Sequence, residues 1–316
     1  MNRSTGRRRK ASGSSSLRRR VPGHLGRSTR REGGASRDRR PNTGRDGTKP
    51  GGRNVKVAIL SGVGLAGLVG GLLYIGTTAF FGFALVVIML AQAEFYRAAR
   101  RAGHHPAPAL GLVAGVLILM EVFTNDQSAA ALVLFATLAC SFLWYMGFES
   151  RHNLLINVGI TMFGIVYIPL LGSFVGLLLS RPDGAEVTIV TLAAVAVYDI
   201  CAYAGGSMFG RRPMAPSISP NKTWEGALMG TVGTVVVILA LGPLLGPWNL
   251  GQAAILGALI SVVAPVGDLV ESMIKRDFGI KDMGSILPGH GGALDRIDAM
   301  LVAVPTSYLC LGLFGL

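Results

Sequence analysis

Four acidic residues near the carboxyl end, Asp268, Glu271, Asp295 and Asp298, stand in two pairs with a spacing of three. On a helix that spacing puts both members of a pair on one face, and Ser272 joins Asp268 at i,i+4. Carboxylates gathered at membrane depth repel one another unless a cation neutralises them. Oxygen-only ligands favour Mg²⁺ that is also held by phosphate groups. We read Asp268, Asp295 and Asp298 as a metal site; the plainer alternative is a salt-bridge cluster with Asp277 and Asp282 as solvated acids. Between the pairs runs Pro288-Gly289-His290-Gly291-Gly292, which demands a tight or mobile turn. His290 is a candidate acid or phosphate ligand. Lys275, Arg276, Lys281 and Arg296 supply positive charge for phosphate oxygens.

A second polar stretch, Tyr198 to Gly226, reads YDICAYAGGSMFGRRPMAPSISPNKTWEG. Asp199 lies in an otherwise apolar run, where a carboxylate is costly unless paired or functional. Arg211, Arg212 and Lys222 add cationic groups. Ser219-Pro220-Asn221 has the composition of a turn, after which Thr223-Trp224-Glu225 opens a helix. Trp224 also suits a membrane interface.

The elements that carry these residues are apolar. Half of the 316 residues are hydrophobic, 15% are charged, and mean hydropathy is +0.50, whereas a soluble domain has about 25% charge. Runs near the roughly twenty residues needed to span a bilayer recur at 57–75, 77–95, 107–123, 127–146, 156–179, 187–206, 226–246, 252–270 and 299–316. The expected fold is therefore an all-α polytopic membrane protein with about nine transmembrane helices and catalytic loops on the cytoplasmic side.

Charge is divided unevenly along the chain. Residues 1–56 hold 18 Arg/Lys and 3 Asp/Glu, whereas residues 57–316 hold 12 and 14. The first segment lacks the apolar content to repay the entropy of ordering, so it reads as a disordered basic cytoplasmic tail, followed by a membrane domain over 57–316. RRRK at 7–10 and RRR at 18–20 are able to attract anionic lipid or RNA, but no specific nucleic-acid partner is expected. With the tail inside, Arg97, Arg100, Arg101, Arg151, Arg211, Arg212, Lys222, Lys275, Arg276, Lys281 and Arg296 all fall on the inside. Both polar stretches then face the cytoplasm. Cys140, Cys201 and Cys310 have no metal or disulfide spacing, and no P-loop, GxGxxG or GxSxG stands in a convincing setting.

The run SMIKRDFGIKDMGSILPGHGGALDRID, Ser272 to Asp298, closely resembles the signature of the phosphatidate cytidylyltransferase (CDP-diacylglycerol synthase) family. Asp199, Ala202-Tyr203, Phe209-Gly210 and SISPNKTWEG, Ser217 to Gly226, resemble a second stretch of that family. The resemblance extends over most of 57–316 and is sharpest in the last 120 residues. It implies a polytopic inner (plasma) membrane enzyme that transfers CMP from CTP to phosphatidic acid, releases pyrophosphate and requires a divalent cation. By motif position it implies that Asp268 and Asp295 bind Mg²⁺, with room for a second cation. It places Asp298, Lys275, Arg276, Lys281, Asp282, His290 and Arg296 in the same centre. Ser219, Lys222, Thr223, Trp224 and Glu225 fall on the motif for nucleotide or lipid phosphate.

Ser207, Cys201 and Ala293 depart from the usual residues, and none of these removes an expected carboxylate. The partners implied are CTP, phosphatidic acid and the bilayer, with a homo-oligomer left open. A related CTP-dependent transferase for another lipid is the rival enzyme. A transporter is the rival of another class, but it would distribute polar residues over paired helices.

Overall fold

The computed structural model describes residues 55–124, 128–148, 153–284 and 292–316. Helices α1 (Val55–Ile75), α2 (Thr77–Arg101), α3 (Pro108–Phe123) and α4 (Ser128–Phe148) come first. Gly76 divides the first two, with a φ of 150° that a side chain would make costly. Next come α5 (Leu154–Ile165), a π-helical turn (Val166–Leu170) containing Pro169, and α6 (Phe174–Leu179). Helix α7 (Gly184–Phe209) precedes strands β1 (Pro213–Ala215) and β2 (Ser219–Thr223). Helices α8 (Trp224–Leu245), α9 (Leu250–Asp277), α10 (Leu294–Ile297) and α11 (Met300–Leu313) complete the described chain.

Among the described residues, seven helical segments are long and apolar enough to cross a membrane, and Gly62–Ile75 and Pro108–Phe123 are shorter apolar stretches. Their surfaces agree with that reading. Leu132, Phe135, Leu155, Val236 and Leu244 all point outward from the bundle, where lipid rather than water suits them. The helices fall close to the expected apolar runs, but one differs usefully. Helix α9 continues to Asp277, beyond the expected 252–270, so it carries Glu271, Lys275 and Arg276 as well as Asp268. These residues therefore stand on a helix rather than in a loop.

The all-α expectation needs one correction. Strands β1 and β2 form an antiparallel hairpin, with Pro213 opposite Thr223 and Ala215 opposite Ser219. The turn lies at 216–218, not at Ser219-Pro220-Asn221. Pro220 has no N–H to donate, and a two-stranded ribbon, being all edge, tolerates it.

Small residues and buried hydroxyls set the packing between helices. The Thr191 hydroxyl of α7 donates to Ser307 of α11 at 2.9 Å, in the buried interior. Phe81 of α2 stacks on Phe123 of α3 with ring centroids 3.9 Å apart. At the start of α9, Asn249 and Gln252 cap each other reciprocally through side chain and backbone.

Candidate active site

Helix α9 provides the frame. Asp268, Glu271 and Lys275 succeed one another at i, i+3 and i+7, so they share one face. Opposite that face lie α10 and the residue that ends it, Asp298. The close approach depends on Gly267, where an added Cβ would lie 2.6 Å from the Asp298 carbonyl oxygen and 3.0 Å from the Ala299 Cα. Backbone cannot yield at that distance. Gly267→Ala is accordingly expected to separate α9 from α11 and lower turnover about tenfold, since sub-ångström displacement of reacting groups is expensive. Turnover of purified protein that still elutes as a single species would measure it.

Carboxylate oxygens of Asp268, Glu271 and Asp298 all lie within 4.8 Å of one another. Two lysines answer the negative charge. Lys222 of β2 reaches Asp268 Oδ2 at 2.5 Å. Lys275 contacts Glu271 and also donates to Asp295 Oδ1 at 2.9 Å. Asp298 Oδ1 accepts the Ala299 N–H at 2.7 Å, and Ser272 donates to Asp268 Oδ1 at 3.4 Å. Glu271 is fully buried, and its Oε1 has no hydrogen-bond partner among the described residues. An orphaned buried carboxylate oxygen is costly. Three converging carboxylates with one such oxygen fit a hard divalent cation.

Asp295 occupies a different place from Asp268. It is held by Lys275 on one oxygen and by the Gly292 N–H, at 2.8 Å, on the other. It lies outside the three-carboxylate group and shares Lys275 with it. Arg296 is exposed on α10. Arg276 donates to the Ile218 carbonyl at 3.2 Å, tying the end of α9 to the hairpin turn. Lys281 and Asp282 are exposed after α9, and His290 lies outside the described residues.

The hairpin residues divide between structure and availability. Thr223 caps α8 by accepting the Gly226 N–H at 3.1 Å. Glu225 accepts the Arg211 and Arg212 backbone N–H groups at 3.1 and 3.2 Å. Both therefore shape the joint that presents Lys222. Ser219 is part-buried on β2, Trp224 is exposed at the head of α8, and Asp199 is exposed on α7.

One group that sequence reasoning missed is Glu94 of α2, wholly buried, which accepts the Leu294 N–H at 3.1 Å. It packs where any side chain on Gly292 would collide, with Glu94 Oε2 only 2.5 Å from that added Cβ. Glu94 thereby fixes the turn from which Asp295 and Asp298 follow. A carboxylate inside an expected span was the available signal, applied to Asp199 but not to Glu94.

A family model described as "Cytidylyltransferase family" matches residues 56–314. The phosphatidate cytidylyltransferase of Mycobacterium leprae is 34% identical over 281 residues, covering 83% of this chain and 89% of that protein. The chain belongs to the phosphatidate cytidylyltransferase family. Proteins of the same name from Synechocystis sp. (32% identical; 75% of this chain, 89% of the relative) and Brucella melitensis (34%; 65% and 72%) agree. In this family member the matched region takes in every described element, from α1 to α11. Both signature stretches meet at one site: Lys222 comes from the first and Asp268 from the helix that begins the second.

Proposed function

We infer that the protein transfers CMP from CTP to phosphatidic acid, forming CDP-diacylglycerol and pyrophosphate in phospholipid biosynthesis. The observation that carries this is the family match across nearly the whole membrane domain. A phosphate oxygen of phosphatidic acid attacks the α-phosphorus of CTP. The new P–O bond forms as the bond to the β-phosphate oxygen breaks, and pyrophosphate leaves with the electron pair. The nucleophile is already anionic, so the main obstacle is bringing two anions together.

Asp268, Glu271 and Asp298 are proposed to hold Mg²⁺, with Asp295 in the same centre as the carboxylate that shares Lys275 with Glu271. When bound, that cation supplies charge neutralisation for the phosphates. The chain's own groups do the rest. Lys222, now on Asp268, is placed to exchange that carboxylate for a phosphate oxygen, and Arg276 and Arg296 add positive charge at the rim. The hairpin residues Ser219, Thr223, Trp224 and Glu225, with Lys281 and Asp282, are proposed to frame the nucleotide, with His290 as a candidate acid or phosphate ligand. A homo-oligomer and a second cation are compatible with this arrangement.

We further propose nine spans, a basic cytoplasmic tail over 1–56 ahead of the 57–316 enzyme domain, and a site facing the cytoplasm at the inner (plasma) membrane. CTP is available there, and the inside-facing Arg and Lys residues favour that direction. Purified protein in detergent, given labelled CTP, phosphatidic acid and Mg²⁺, is expected to yield chloroform-extractable CDP-lipid with equimolar pyrophosphate. Product with a polyprenyl phosphate but none with phosphatidic acid would replace the acceptor, and no product from folded protein would defeat the reading.

A further inference from the structure

The two helices that frame the site are both seated on a third, α2, which supplies none of the three grouped carboxylates. Phe95 of α2 packs its ring against Phe278, the residue that ends α9, with centroids 5.8 Å apart. Its neighbour Glu94 accepts the N–H of Leu294, the first residue of α10, at 3.1 Å. An N–H in the first turn of a helix has no intrahelical partner. Glu94 therefore makes, from α2, the bond that a local capping side chain makes elsewhere. Asp295 follows directly in the chain, its carboxylate set by the Gly292 N–H at 2.8 Å and by Lys275 of α9 at 2.9 Å.

Glu94 is wholly buried in an apolar helix of spanning length, where a carboxylate is costly unless paired or functional. Two glycines leave it room. A Cβ on Gly292 would lie 2.5 Å from Glu94 Oε2 and 2.9 Å from the Gly284 nitrogen, and a Cβ on Gly284 would overlap Oε1. Backbone from both sides of the signature stretch thus lies against one carboxylate.

We propose that Glu94 is a positioning residue for CMP transfer, locking the start of α10 to α2 so that Asp295 meets Lys275. It touches no reacting group and acts through Asp295; the role rests on the activity proposed above. Because α2 also holds the end of α9 through Phe95, one rigid helix sets the spacing of the two that carry the site. Displacement of such groups by an ångström lowers rate far more than binding.

Glu94→Gln keeps the size of the side chain and an acceptor oxygen but removes the charge that strengthens the bond. Its kcat is expected to fall about tenfold while the KM for CTP changes by less than about twofold. Amide exchange over residues 292–298, followed by mass spectrometry, is expected to quicken about tenfold, with α9 and the rest of α2 unchanged. Wild-type kcat in E94Q overturns the role, and so does a lowered kcat with wild-type exchange over 292–298. Faster exchange throughout the bundle, or an E94Q that does not fold, would make Glu94 a structural residue and also overturns it. Wild-type protein that forms no CDP-lipid would defeat the activity reading instead, and this role with it.

Discussion

Asp268→Asn is expected to lower turnover about 10³-fold, equivalent to roughly 4 kcal/mol of transition-state stabilisation, while the protein still inserts and purifies normally. The change keeps the size of the side chain and removes one negative charge from the three-carboxylate group. It also leaves Lys222, which reaches Asp268 at 2.5 Å, without its carboxylate. That second consequence is mild for stability, because both side chains retain access to solvent and exposed pairs contribute about 1 kcal/mol or less. The loss therefore belongs to chemistry rather than folding. Labelled CTP incorporation, run beside a thermal melt, separates the two. Near-wild-type turnover with an unchanged melt would remove Asp268 from the centre.

The family signature made the carboxylates conspicuous, and the apolar runs placed the helices within a few residues. Both signals are local: a spacing of three on α9, or an uninterrupted stretch of apolar side chains. The misses came where function depends on residues far apart in the chain. Glu94 meets Leu294 across 200 positions, and nothing near Glu94 in sequence announces that partner. Glu271 was visible on the Asp268 face, but only its complete burial and unpartnered Oε1 reveal that it belongs among the ligand-competent oxygens. Asp295 and Asp298 look alike in sequence, each three residues from the other. The fold distinguishes them by giving Asp295 to Lys275 and Gly292 while turning Asp298 toward Asp268. The β-hairpin was hidden because Pro and Asn in Ser219-Pro220-Asn221 signal a turn, whereas the pairing that overrides them is with residues 213–215.

Lys275 joins the two halves of the site, and its removal is expected to damage both fold and activity. Its ammonium group contacts Glu271 and donates to Asp295 at 2.9 Å, with 16% of the side chain exposed against none for Glu271. Lys275→Met preserves the apolar stem but leaves two carboxylates side by side at low dielectric. Breaking a buried pair from one side costs about 3–5 kcal/mol, which for a domain of this size is a fall of order 10 °C in the thermal midpoint. Turnover is expected to fall at least 10²-fold, because Asp295 loses the contact that orients α10 toward α9. The double variant Glu271→Gln/Lys275→Met decides between charge imbalance and lost packing. Neutralising Glu271 as well removes the unpaired buried charge, so the double variant is expected to regain about half of the lost thermal midpoint while remaining inactive. A double variant no more stable than Lys275→Met alone would mean that the lysine stem, not its charge, holds the helices together. Recovery of activity as well as stability would show that Glu271 has no part in the chemistry, leaving Asp268 and Asp298 to hold the cation alone.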